Sequence, residues 1–229
     1  MPTPAQVVAA FQKQIASTLN LHDELILSVA QHPQKKSLEN VLAEQCVLGV
    51  AVQWEAFLHD LIVSYIEQRP AECIKFHQGK ITQSIRSKSH IFLTWITFAV
   101  PAVLSRAHIE EIVDPKGWNI TAESAESLAE LTNTLLSAAT AKKFSLPDVD
   151  RKFVDLTLAL RNYLSHRSAG SLTKLNDKLA DFQKTDKKSP LRGKLTDVGA
   201  YLKGTPKNSP GSRAKVIGLN LSTLAAKLV

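Results

Sequence analysis

The apolar residues of this chain recur at the period of an α-helix, and this pattern constrains the fold more than any other feature. Between residues 46 and 65 the large apolar side chains follow one another at intervals of three or four residues: Cys46, Val50, Trp54, Phe57, Leu61 and Tyr65. Such spacing places them on one face of a helix. A similar stripe occupies residues 5–31, with Pro4 near its start and Pro33 just after it, positions at which proline commonly marks helix ends. We predict a helix over 5–31, a second over 37–67 that closes at Pro70, and an antiparallel pairing of the two.

Helical periods continue to the end of the chain, and no internal repeat or clear strand pattern interrupts them. The further helices are predicted over residues 121–140, 149–166, 172–182 and 212–228. Thr121 is a candidate N-cap for the first of these, and a break is expected at residues 168–170. The stretch 70–120 is less regular and suggests loops or short helices around Gly79, with a turn at 114–117. Its apolar run, 91–104, fits a strand or a helix, and helix is favoured because no partner strand is evident. The sequence therefore predicts the all-α class.

Charge divides the chain into two parts. Residues 184–229 contain 10 Lys/Arg and 2 Asp/Glu, a net charge of +8, whereas residues 1–183 contain 18 and 19, a net charge of −1. We therefore predict a helical domain over 1–183 and a basic extension over 184–229 that ends in a helix. The extension reads either as a solvated tail or as an arm that attracts phosphate groups without sequence preference. Its last helix has enough apolar residues to dock on the body or on a second chain.

Several classes of protein are disfavoured by the composition and motifs. With 44% hydrophobic and 21% charged residues, the chain is typical of globular proteins. Its two cysteines, Cys46 and Cys73, and the absence of a leader pattern favour a reduced, cytoplasmic setting. The longest apolar run, 91–104, is short for a membrane span and is read as a core element. The sequence has no zinc-ligand spacing, nucleotide-binding glycine loop or serine-hydrolase elbow, so we expect no metal and no cofactor.

One segment combines residues suited to phosphodiester chemistry: Arg161-Asn162-Tyr163-Leu164-Ser165-His166. Asn162 and His166 are four residues apart and share a helix face, while Arg161 lies about 140° around the helix from His166 at ~100° per residue. Imidazole suits proton transfer near neutral pH, guanidinium binds phosphate, and an amide can orient either group. Because RNA carries its own 2′-OH nucleophile, this trio could cleave RNA without a metal. By spacing alone, the segment also fits a surface arginine and a histidine that meets the helix dipole.

This segment resembles the signature of the HEPN superfamily, in which an arginine, a polar residue and a histidine lie on one helix. Residues 54–61 resemble the second helix of the RiboL-PSP type of HEPN domain, and the loop 117–119, the next helix and the motif helix follow in the matching order. The resemblance covers roughly residues 5–185. It implies a helical bundle, commonly homodimeric, that acts as a metal-independent endoribonuclease and leaves a 2′,3′-cyclic phosphate. It also implies motifs that meet across the dimer interface, and a role in toxin–antitoxin, defence or RNA-processing systems.

The resemblance assigns roles to individual residues. Arg161 would bind the scissile phosphate, Asn162 would position the phosphate or the imidazole, and His166 would be the general acid/base. Supporting residues are Glu55, His59 and Ser165, although Glu55 and His59 also fit a solvated helix face. Further candidates for RNA contact are Arg167, Lys203, Lys207, Arg213 and Lys215.

The expected partners are RNA, a second copy of the chain and an antitoxin or regulatory protein, with no membrane. In many members of the family a tyrosine closely follows the histidine, whereas Arg167 and Ser168 follow it here. The alternative function is therefore a non-catalytic helical module that binds RNA, a nucleotide or a partner protein.

Overall fold

The structure is a computed structural model that describes residues 2–87, 104–114, 122–193, 195–207, 209 and 211–229. Within these ranges the chain forms ten α-helices and no strand. The predicted all-α class is therefore confirmed. The predicted elements over 91–103 and 115–121, including the N-cap Thr121 and the loop 117–119, lie outside the described residues.

The helices follow one another with short connections. Their bounds are α1 Pro4–Ser28, α2 Lys35–Gln68, α3 Ala71–Arg86, α4 Arg106–Val113, α5 Ala125–Leu135, α6 Ala138–Ala141, α7 Asp148–His166, α8 Ala169–Thr185, α9 Val198–Lys203 and α10 Arg213–Ala226. A 3₁₀ turn at Lys142–Phe144 follows α6.

The hairpin of α1 and α2 forms the base of the core. Thr3 caps α1 through a capping box with Gln6, which satisfies two backbone donors at the helix start. The buried stripes of the two helices then meet: the ring of Phe11 stacks on Phe57 at 4.4 Å between centroids and lies edge-on to Trp54 at 5.8 Å. Complete burial of each large side chain stabilises the fold by roughly 1.5–3 kcal/mol. The predicted pairing of these helices is confirmed.

The C-terminal helices belong to the same core. α10 packs against α1 and α2, and α9 packs against α2. A Cβ atom at Gly218 would lie 2.9 Å from Leu19 Cδ2, so glycine permits the close approach of α10 to α1. The Tyr65 hydroxyl donates a hydrogen bond of 2.7 Å to the Leu228 carbonyl. Of the two arrangements left open by the sequence, the last helix adopts the one in which it docks on the body of its own chain.

Three elements differ from the sequence expectations. α3 continues through Gly79 as one helix to Arg86, where loops or short helices were predicted. The predicted helix over 121–140 is observed as two helices, α5 after the N-cap Ser124 and α6, separated at Leu136 by extended backbone. α9 was not predicted.

By length and composition, α2 is apolar enough to cross a membrane, the one helix in the described ranges for which this holds. Its most apolar window is 61% buried inside the bundle. The same hydrophobicity is therefore used to form the centre of the core.

Candidate groove at the end of helix α7

Helix α7 presents the motif on the face opposite its buried stripe. Its core side includes Phe153, Leu156 and Leu160, which are 4% exposed or less. The helix ends directly after His166, where Arg167 adopts a left-handed conformation with φ 51° and donates its N–H to the Tyr163 carbonyl at 2.7 Å. Such a residue terminates helices. His166 therefore stands exposed at the last turn.

Arg161, Asn162 and His166 line one groove of about 960 Å³. Its walls are the exposed side of α7, the first half of α8, Glu55 from α2, and the residues just before α5. The turn at Arg167 and Ser168 directs α8 back along α7, which creates the groove. The structure thus brings the three predicted motif residues to one surface within a single chain.

Glu55 holds the guanidinium of Arg161. Its Oε2 lies 3.2 Å from Arg161 Nη2, and Arg161 Nη1 donates a hydrogen bond of 3.0 Å to Asn162 Oδ1. The Glu55 side chain is only 14% exposed, and this burial raises the pKa of its carboxyl group, with Arg161 acting in the opposite direction. A solvated helix face is therefore the wrong interpretation for Glu55, which contacts the motif directly.

The two other supporting candidates lie elsewhere. His59 is buried, with 7% of its surface exposed, so the solvated-face interpretation is wrong for it as well. Ser165 is exposed. Neither residue is among the described residues that line the groove.

Arg167 forms an ion pair across the fold. Its Nη1 and Nη2 atoms lie 3.1 and 2.6 Å from the two carboxylate oxygens of Glu44 on α2. The guanidinium also lies 5.5 Å from the centroid of the Tyr163 ring. This two-point pairing is geometrically favourable and anchors the end of α7 to α2. Arg167, predicted as an RNA contact, is thus engaged by a carboxylate in the folded chain.

Most of the other predicted RNA contacts also have partners in the fold. Lys203 pairs with Glu39 at 3.3 Å, and Lys215 pairs with Asp23 at 2.5 Å. Arg213 donates hydrogen bonds to two backbone carbonyls. Of the described residues that line the groove, none is Lys203, Lys207, Arg213 or Lys215. These four residues therefore do not extend the motif surface.

Helix α8 contributes groove residues that the sequence did not single out. Lys174 and Lys178 lie one turn apart on its groove face, and Lys178 Nζ is 2.7 Å from Asp155 Oδ2. Asp155 also accepts a hydrogen bond of 2.8 Å from the N–H of Ala125, at the start of α5. The signal in the sequence was the pair of lysines four residues apart, off the apolar stripe of α8.

The groove has mixed charge. Among its described residues are four carboxylates and three cations, a net charge of −1 with His166 neutral: Glu55, Glu123, Asp155, Asp177, Arg161, Lys174 and Lys178.

In the part of the chain that the structure describes, no group of three His, Cys, Asp or Glu side chains is placed to hold a metal ion. Comparisons with protein-family models, with curated proteins and with solved structures give no match to this chain.

Proposed function

We propose that the chain is a metal-independent endoribonuclease that cleaves RNA by attack of the 2′-OH and leaves a 2′,3′-cyclic phosphate. The observation that carries this proposal is that Arg161, Asn162 and His166 line the same groove. Guanidinium, amide and imidazole groups together supply phosphate binding, orientation and proton transfer. The HEPN resemblance of the segment supports the same reaction.

The mechanism follows from these groups. His166 removes the proton of the 2′-OH, whose oxygen attacks the adjacent phosphorus. Arg161 stabilises the charge that develops on the phosphorane oxygens, while Glu55 and Asn162 hold the guanidinium. The P–O5′ bond then breaks, and a protonated imidazole donates a proton to the leaving 5′-oxygen. The products are a 2′,3′-cyclic phosphate and a 5′-hydroxyl.

The proposal includes a homodimer. The two proton transfers act on opposite sides of the phosphorus, and a second copy of α7 would supply a second imidazole and a second guanidinium. A cytoplasmic RNase of this kind would act as a toxin or defence effector, held in check by an antitoxin or regulatory protein.

The decisive experiment compares wild type with His166→Ala on defined RNAs in EDTA. General acid–base catalysis contributes about 10²–10⁴-fold, so we expect cleavage to fall by that factor while helicity is retained, since His166 is exposed. His108→Ala, at an exposed position on α4, is the matched control and should cleave as wild type does. Analysis of the product ends should show the cyclic phosphate. Cleavage by His166→Ala at the wild-type rate would disprove the assignment.

The geometry also favours a second candidate function, a non-catalytic module that binds RNA, a nucleotide or a partner protein. Its specific support is that Arg161 is already paired with Glu55 and that the groove has a net charge of −1 among its described residues. This alternative predicts binding without turnover. Growth arrest caused by wild type but not by His166→Ala would favour the enzyme. Equal binding by the two variants, with intact RNA in both, would favour the module.

A further inference from the structure

Four cationic side chains near the C-terminus converge on a second pocket, of about 450 Å³. Its polar lining consists of Lys188, Arg192, Lys207, Arg213, Ser189 and Ser209. No carboxylate is among the residues of this pocket that the structure describes. We call it the basic pocket.

The two arginines of the basic pocket are held by neutral partners. Arg213 donates to the carbonyl of Arg192 at 2.8 Å and to that of Tyr201 at 3.2 Å, and it lies 4.6 Å from the centroid of the Tyr201 ring. Arg192 donates to the Lys187 carbonyl at 2.7 Å. Carbonyl groups fix the position of a guanidinium without neutralising it. Both positive charges are therefore held in place, and neither is paired with a described carboxylate.

Most of the remaining lysines of the C-terminal segment form ion pairs, in contrast to the cations of the basic pocket. Of the five described lysines outside the pocket, four lie within 3.3 Å of a carboxylate: Lys184 with Asp181, Lys203 with Glu39, Lys215 with Asp23, and Lys227 with Asp150. The fifth, Lys187, forms no ion pair with a described residue. The four cations of the basic pocket have no ion pair to a described carboxylate. The nearby Asp186 accepts a hydrogen bond of 3.1 Å from the backbone N–H of Lys188. Most of the unpaired charge of the described segment is thus concentrated at one place, where the cations repel one another unless an anion joins them.

We propose that the basic pocket binds phosphate groups in the backbone of the RNA strand that the chain engages. The identity of this ligand as RNA rests on the proposed function. The groove has a net charge of −1 among its described residues, so attraction of a polyanion requires cations outside it. The basic pocket supplies up to four, and phosphate contacts of this kind give affinity without sequence preference.

The test measures the affinity of a labelled, fully 2′-O-methylated strand, which lacks the nucleophile and cannot be cleaved, over a series of salt concentrations. The variant is Lys188→Gln with Lys207→Gln, because both side chains are exposed and neither holds the fold through an ion pair. The control is Lys13→Gln with Lys142→Gln, which makes the same charge change at exposed positions outside the pocket. Each phosphate contact with a single strand contributes about 0.7 to the slope of log K against log salt. We expect the pocket variant to lose about 1.4 of that slope and the control to lose none.

Equal losses in variant and control would overturn the proposal, since they would show a diffuse charge effect, and so would no loss in either. A second arm uses strands with a 5′-phosphate and with a 5′-hydroxyl. Equal losses for the two strands support backbone contacts, whereas a loss confined to the phosphorylated strand would contradict them and assign a terminal phosphate.

These outcomes are separable from those of the proposed nuclease. Pocket-dependent binding with ribose RNA left intact would contradict only the nuclease. Cleavage with unchanged affinity in the pocket variant would contradict only the pocket.

Discussion

Leu221, on α10, is fully buried, and its replacement by alanine tests whether the C-terminal helix is part of the core. Leu→Ala at buried sites costs about 2–5 kcal/mol, because transfer free energy is lost and a cavity remains. With no exposure at this position, we expect a loss of about 3 kcal/mol in the free energy of unfolding. For a chain of this size that corresponds to a fall in Tm of roughly 6–12 °C.

The assay is thermal and urea unfolding followed by circular dichroism. Leu219→Ala is the matched control, because it makes the same change two residues away on the same helix, at a position that is 38% exposed. We expect it to cost less than about 1 kcal/mol. If both variants lose the same small amount, α10 is not docked as described, and the basic extension would have to be regarded as a free arm.

Three further predictions concern ionisable groups. Glu55→Gln keeps an acceptor for its arginine partner but removes a charge that competes with phosphate, so RNA should bind severalfold more tightly; weaker binding would contradict this. Burial lowers the pKa of His22 and of His77. Around and below the unfolded value of about 6.5, the unfolded state therefore binds more protons than the native state, and the stability measured by urea unfolding should decrease as the pH is lowered. A profile that is flat from pH 7 to 5 would refute this. Burial raises the pKa of Cys46 to about 12 and that of Cys73 to about 11. Because the thiolate is the reactive form, both thiols of the native protein should resist iodoacetamide at pH 8 and react only after unfolding. Rapid labelling of the native protein would be inconsistent with the fold.

The amphipathic helices were predictable because long apolar stripes leave few alternatives. The predicted helix over 37–67 is observed as Lys35–Gln68, and that over 149–166 as Asp148–His166. In both, the stripe extends over many turns, so one helical face must be buried. The ends could be read to within two residues because turn signals and prolines lie there.

Two other segments could not be predicted in the same way. α9 has only six residues, too few for a period to emerge, and Gly199 allows it to pack closely against Asn40 on α2. α3 was not predicted as one helix because Gly79 and the polar residues after it suggest loops, whereas the helix continues through them. In such segments the structure is decided by contacts with residues far away in the chain.

The sequence alone identified the motif residues, since Arg161, Asn162 and His166 belong to one helix whose apolar residues recur at a clear helical period. Only the tertiary structure decided what surrounds them: Glu55 reaches Arg161 because α2 packs against α7. The tertiary structure also decided which basic residues are paired with carboxylates, since the net charge counts basic residues without showing which of them have partners. A local period specifies which side of a helix faces outward, whereas the pairing of charges depends on distances between helices that only the packed fold sets.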